Sequence, residues 1–178
     1  LLKVKATVGQ DHLLVNGVNE FGEIEQFSVD WRKKFSGKPL AVVFPKDVNE
    51  VSRLIKLANC ARGMSIVPQG GNTGLAGGAT PNKEGNQLII SLKRLNLVRS
   101  VDFFNRTLVA EAGCTLIELQ KAIENSKLYF PIDLSSRNSA SLGGLLATNA
   151  GGLSVLKYGT AKDCCLGLEV VLPNGEIW

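Results

Sequence analysis

The chain has 178 residues, 44% hydrophobic and 20% charged, with 20 Lys and Arg against 16 Asp and Glu for a net charge of +4. That length suits one domain or two small ones. The apolar content can build a core and excludes a disordered tail, and the mild, scattered basic excess points away from a nucleic-acid ligand. Glycine is the outlier at 19 residues, and its placement matters more than its total, since five fall within 70–78 and five within 143–159.

Residues 1–37 read as an N-terminal extension of mixed polarity, with Phe21, Phe27, Trp31 and Phe35 available to pack on a core. The start has no initiator Met and no apolar core of a signal peptide, so the chain is expected to be a piece of something longer. From Leu40 the pattern becomes regular. Leu40 to Phe44 is a short apolar run closed by Pro45, which predicts a buried strand. Asp47, with Glu50 three residues on, predicts a capped helix whose buried face carries Val48, Val51, Leu54, Ile55 and Ala58 and which ends at Gly63. Ser65 to Val67 is the next predicted strand, and Pro68 opens the first glycine segment.

Leu88 to Ser91, Val98 to Phe103 and Leu108 to Ala112 read as three strands of a meander. Thr115 and Glu118 form a capping box before a helix lined by Leu116, Leu119, Ala122 and Ile123. Leu166 to Pro173 predicts a strand, turned by Asn174-Gly175 into a second one at the C-terminus. The fold class expected is α+β with two lobes. The first is a small β-α-β lobe over 38–97 that carries the glycine loop. The second, over 98–178, is built on a larger mixed or antiparallel sheet flanked by helices, and the ligand is expected in the cleft between them.

Several functions are set aside by direct reading. Residues 63–82 and 138–156 are free of charge but broken by Gly, Asn, Ser and Thr, so neither predicts a transmembrane helix. Cys60, Cys114, Cys164 and Cys165 lack Cys-x-x-Cys spacing and are expected to be reduced, mostly buried thiols of a cytoplasmic protein. His12 stands alone, so no metal site is predicted, and Asn105-Arg106-Thr107 is read as a chance sequon. No Gly-x-Gly-x-x-Gly and no Gly-x-x-x-x-Gly-Lys-Ser/Thr occurs.

The glycine segments themselves predict an anion site without cations. Pro68-Gln69-Gly70-Gly71-Asn72-Thr73-Gly74, continuing to Gly77 and Gly78, leaves a strand and carries no Lys or Arg. Glycines that accept positive φ can turn several N–H groups the same way and form a nest for an anion, helped by Asn72 and Thr73. In the second segment Ser141 is expected to cap a short helix. Gly143 and Gly144 would there permit close approach of a ligand or of another backbone, and the helix dipole would add positive potential.

PQGGNTGLAGG at 68–78, PID at 131–133, LGGLLATNAGG at 142–152, KYGT at 157–160 and GLEVVLPNG at 167–175 occur in one order. Together, over roughly Trp31 to the C-terminus, they resemble the FAD-binding domain of the flavoprotein D-2-hydroxyacid dehydrogenases. These include D-lactate and D-2-hydroxyglutarate dehydrogenases and the glycolate oxidase FAD subunit, of the vanillyl-alcohol-oxidase type of flavin fold. The resemblance implies FAD held by Pro68, Gln69, Gly70, Gly71, Asn72, Thr73, Gly74, Gly77 and Gly78 around the diphosphate. Ser135, Ser136, Arg137, Asn138, Ser139, Ala140 and Ser141 would lie along the diphosphate and ribityl chain, and Thr148, Asn149, Ala150 and Gly151 beside the flavin.

No His or Cys occurs from Gly70 to Ala79, which implies noncovalent FAD. The family's Glu-Gly-x-x-Gly segment and its substrate domain, with catalytic His, carboxylate-binding Arg and metal, would follow Trp178. No catalytic residue is therefore assigned here; Asp133 and Glu169 are read as structural. The implied activity is oxidation of a D-2-hydroxy acid, with a quinone or an electron-transfer protein as acceptor. The alternative is a non-catalytic FAD-binding subunit or fragment, and a third reading keeps the flavin fold with oxidase or nucleotide-sugar reductase chemistry.

Overall fold

The computed structural model describes residues 1–178. The chain divides into two compact units, Leu1–Arg94 with Glu169–Trp178, and Leu95–Leu168.

In the first unit, α1 (Leu2–Val8) leads to β1 (Leu13–Leu14), and β2 (Val18–Asn19) and β3 (Gly22–Glu23) form a small hairpin before α2 (Ile24–Ser28). Then come β4 (Pro39–Val43), α3 (Val48–Cys60), β5 (Ser65–Gln69) and β6 (Gln87–Ser91). The main sheet has the order β1-β4-β6-β5; β6 runs parallel to both β4 and β5, and β1 is antiparallel to β4. Successive side chains of a strand point to opposite faces, and this sheet is buried on both. Ala41, Val43, Leu88 and Ile90 meet Val4 and Val8 of α1 and Leu54 of α3, whereas Val42, Phe44, Val67 and Ile89 meet Leu14 and Phe27. Two-sided burial is why these strands read as unbroken apolar runs and not as alternating ones.

The expected strands and helices up to Gln69 therefore form, but residues 1–37 do not stay outside as an extension. α1 and β1 are part of the core and the sheet, and Phe27 is buried with its ring edge-on to Phe44 at 5.4 Å. Trp31 and Phe35 are exposed instead. Asp47 caps α3 by accepting from the Glu50 amide at 2.8 Å, and the Glu50 carboxylate returns to the Lys46 amide at 2.9 Å. α3 closes at Ala61, two residues before Gly63, which holds φ +77° in the following turn.

The second unit holds a single antiparallel hairpin, β7 (Val98–Asp102) and β8 (Thr107–Ala110), followed by α4 (Leu116–Lys121), α5 (Leu142–Ala147) and α6 (Val155–Tyr158). The expected meander is not formed, because β6 is drawn into the parallel sheet between β4 and β5, where both of its faces are covered. The Thr115–Glu118 capping box is present at α4, with the carboxylate accepting from the Thr115 amide at 2.7 Å. Leu116, Ile132, Ala140, Leu145 and Ala161 form this unit's core.

The last ten residues also depart from expectation. They belong to the first unit, where Ser52 Oγ donates to the Gly175 carbonyl and Asn59 Nδ2 to that of Pro173 at 2.6 Å. The Asn174-Gly175 turn forms with Gly175 at φ +83° and joins Val170 to Trp178, but 166–173 makes only an isolated bridge at Val171 and no full strand.

Three of the four thiols also lie outside the interior. Cys114 is buried, but Cys60 and Cys164 are exposed and Cys165 is half-buried, all four being free. No helix is long and apolar enough to cross a membrane, and no cluster of His, Cys, Asp and Glu is gathered that could hold a metal.

Candidate functional site

The first glycine segment begins where β5 ends at Gln69, paired with Ser91 at the C-terminal edge of parallel strands, the edge where open α/β sheets bind ligands. Two side chains hold its frame. Gln69 is 1% exposed, and its Nε2 donates to Phe27 O at 2.9 Å and to Ala79 O at 2.7 Å, tying the start of the loop to its end. Asn72 Nδ2 donates to Gln26 O at 3.1 Å and Val29 O at 2.8 Å. Both anchors are carbonyls of α2 and its flank, so the N-terminal residues build this loop.

These bonds revise the expected nest. The left-handed residue at the heart of the loop is Asn72, at φ +52°, while Gly70, Gly71 and Gly74 stay out of that region; Gly77, at φ +75°, is the glycine that needs it. Asn accepts this conformation when its short amide finds local partners, and those partners consume the side-chain donor expected to face an anion. What remains is the main chain. None of the amides of residues 70–79 donates a hydrogen bond within the protein, and the Thr73 hydroxyl is uncommitted. A run of such amides beside a strand end is a set of donors open to an acceptor.

Space for that acceptor is present. Gly74 and Gly78 are exposed, and a Cβ added at either would meet nothing within 4 Å. Pro68 is exposed, and Gly70, Gly71, Thr73 and Gly77 are half-buried. Leu75, Ala76 and Ala79 contribute amides to the same run although sequence reasoning passed over them; their lack of glycine hid them, and their place between Gly74 and Thr80 was the available signal.

The second segment is more tightly committed. Arg137 lies 3.0 Å from the Asp133 carboxylate, and Ser136 O accepts from the amides of Ser139 and Ala140 in a compact turn. Ala140 is buried in the core, while Ser135, Asn138 and Ser139 are exposed and Ser136 is half-buried. Ser141 does not cap α5: its hydroxyl is buried and has no partner. The first two amides of α5 are already spent, Leu142 on Cys114 O and Gly143 on Ala112 O, each at 2.8 Å. Gly143 is there because a Cβ would lie 2.9 Å from that of Ala112. The expected dipole site at this helix start is thus used for backbone packing, and at Gly144 an added Cβ would lie 3.3 Å from the Ser141 hydroxyl.

Past α5, Asn149 stands at φ +49°, with Ala150 N bonded to Leu145 O and Asn149 N to Leu146 O. That pairing is a Schellman motif. The Asn149 carboxamide oxygen also accepts from the Lys162 amide at 3.0 Å, and the Thr148 hydroxyl bonds Gly144 O at 2.8 Å. Thr148 and Asn149 are exposed, and Ala150 and Gly151 half-buried. Their side chains and turns serve the fold, and the amides of Gly151 and Gly152 remain without protein partners.

A dinucleotide's diphosphate needs several converging donors and no side chain in the way, and the amides of 70–79 with the open flanks of Gly74 and Gly78 fit that requirement. Residues 39–178 match the model of the FAD binding domain. The chain belongs to this family of FAD-binding domains, and FAD is its cofactor.

Among its relatives is the D-2-hydroxyglutarate–pyruvate transhydrogenase of Saccharomyces cerevisiae, 37% identical over 173 residues, 97% of this chain and 34% of that protein. The D-2-hydroxyglutarate dehydrogenase of Xanthomonas citri pv. viticola is 38% identical over 158 residues, 89% of this chain and 33% of the relative. An alkyldihydroxyacetonephosphate synthase structure superposes with a TM-score of 0.74 at 28% identity, over 85% of this chain and 29% of that one. The chain spans about a third of the length of the curated relatives it matches.

Proposed function

We propose that this chain is the FAD-holding portion of an oxidoreductase that converts a D-2-hydroxy acid, of the lactate, 2-hydroxyglutarate or glycolate type, to the 2-oxo acid. The names of the two relatives above support the substrate class. The single observation that carries the binding role is the run of uncommitted amides over 70–79. When bound, FAD supplies the acceptor for the hydride that leaves the substrate's α-carbon. The chain's own part is to bind and orient: Gln69 and Asn72 set the loop, its amides neutralise a diphosphate, and Gly74 and Gly78 leave it room. Binding is noncovalent in this reading, since residues 70–79 contain neither His nor Cys.

The acid–base groups of the reaction and any metal belong to other parts of the parent protein, and the electron acceptor is a separate partner, a quinone or an electron-transfer protein. A cytoplasmic location is kept as part of the proposal; the rice and cattle relatives named mitochondrial make fractionation of the parent the deciding measurement. The second reading is a non-catalytic FAD-binding subunit; the pairing of Asp133 with Arg137 leaves that carboxylate to structure in either reading.

Titrating FAD against the chain by flavin fluorescence tests the binding role. Gly74→Val should leave the fold intact and weaken FAD at least tenfold; an unchanged affinity would remove the loop from the site. Dye reduction by the parent protein with D-lactate, D-2-hydroxyglutarate and glycolate tests the activity, and silence with all three would favour the non-catalytic reading.

A further inference from the structure

A hollow of about 290 Å³ lies in the first unit, lined by Lys34, Phe35, Ser36, Gly77, Thr80 and Lys83 among others. Its walls are fixed by backbone. Gly37 N donates to Ser28 O at 2.9 Å and Lys38 N to Asn82 O at 2.7 Å, and Gly37 lies so close to the Pro81 and Asn82 carbonyls that no side chain would fit there. Gly77, at φ +75°, presses against the Phe35 ring, where a Cβ would come within 2.7 Å of a ring carbon. The hollow is therefore shaped by close contacts of the main chain, and its lysines reach it from two separate segments.

Charge around it is one-sided. The strap 30–38 carries Arg32, Lys33, Lys34 and Lys38 against one acid, Asp30. That carboxylate is already spent on the amides of Phe35, at 2.6 Å, and Arg32, at 3.1 Å. Glu84, the acid next to Lys83, accepts from Asn86 Nδ2 at 3.1 Å. Neither Lys34 nor Lys83 has an ion-pair partner. The Ser36 hydroxyl makes no bond within the protein, and the Thr80 hydroxyl is covered from water and also unpartnered. Two lysines without ion-pair partners and the uncommitted Ser36 hydroxyl thus belong to the lining of one small hollow.

We propose that this hollow binds a phosphate group, as free phosphate or as the monoester of a small metabolite. Lysine acts on phosphate as a mobile point charge, and a hydroxyl beside a tetrahedral dianion adds a bond from another direction. A planar carboxylate is better served by a guanidinium fork, and none lines this hollow. The site uses side chains of 34–36 and 80–83 where FAD is assigned main-chain amides, and the two adjoin at Gly77, which belongs to both. It stands whether or not the hydroxyacid reading holds.

The test is calorimetric titration of the chain with inorganic phosphate, and in parallel with glycerol phosphate, at constant ionic strength, with and without saturating FAD. Saturable binding that persists with FAD is expected, and the tighter of the two probes names the source. Lys34→Gln/Lys83→Gln should weaken it at least tenfold. Lys3→Gln/Lys5→Gln, which removes the same charge from α1, should leave it unchanged. Absence of saturation, displacement of phosphate by FAD, or equal loss in the two double variants would each overturn the proposal.

Discussion

Gln69 and Ala79 are joined across the base of the glycine loop, the buried side-chain amide donating to the backbone carbonyl at 2.7 Å. The same nitrogen reaches Phe27 O. One side chain thereby closes the loop and fastens it to the segment that precedes the sheet. Gln69→Leu keeps the volume but orphans two carbonyls, at about 1–3 kcal/mol each. Denaturant unfolding should record that loss, and FAD affinity should fall with it. A variant of wild-type stability would mean the two carbonyls find other donors.

Gly74 and Gly77 sit three residues apart in the same loop and should respond oppositely to alanine. At Gly74 the added methyl meets nothing, and stability should stay within about 0.5 kcal/mol. At Gly77 it meets both the Phe35 ring and a φ of +75°, a conformation that costs an L residue about 1–2 kcal/mol before any clash. Melting temperatures of the two variants, measured side by side, check the contrast.

Cysteine chemistry should separate by burial. Burial pushes the Cys114 thiol up to about 11, with the negative charges of Glu118 and Glu111 adding to the rise. Because the thiolate is the nucleophile, iodoacetamide at pH 8 should label exposed Cys60 and Cys164 first. Cys114 should follow only on unfolding. Mass spectrometry of a time course reads the order, and early labelling of Cys114 would contradict its place in the core.

Acid should weaken the strap 30–38. The amide of Phe35, followed by that of Arg32, holds the Asp30 carboxyl below its ordinary value. A depressed carboxylate contributes stability that is complete above the unfolded-state value of about 3.9 and is lost as pH falls through the lower folded-state value. Denaturation midpoints should be flat in this respect from pH 7 to about pH 5 and decline below about pH 4. Asp30→Asn should be less stable at neutral pH and show a shallower acid limb. An unchanged limb would place acid sensitivity elsewhere, Asp102 and Asp163 being lowered in the same direction by the amides of Asn105 and Thr160.

Much of this chain was legible from local rules. The apolar run 40–44, the Asp47 cap, the Thr115–Glu118 box and the Asn174-Gly175 turn each depend on a few neighbouring residues, and each forms. So does the concentration of unspent amides in the first glycine segment, because a loop with neither helix nor ladder has few partners of its own. By itself, the sequence determined these local elements and the family.

Only the tertiary structure decided how those elements are shared out. β6 inserts between β4 and β5, residues 1–37 complete the core, and the last ten residues bond to Ser52 and Asn59. Strand order and docking of chain ends depend on which distant surfaces cover one another, and no short-range pattern encodes that. The same reason explains why Asn72 faces inward, Ser141 leaves α5 uncapped and Gly143 meets Ala112. A residue's type says which bonds it can make, and the partner that reaches it first in the folded chain settles which ones it does.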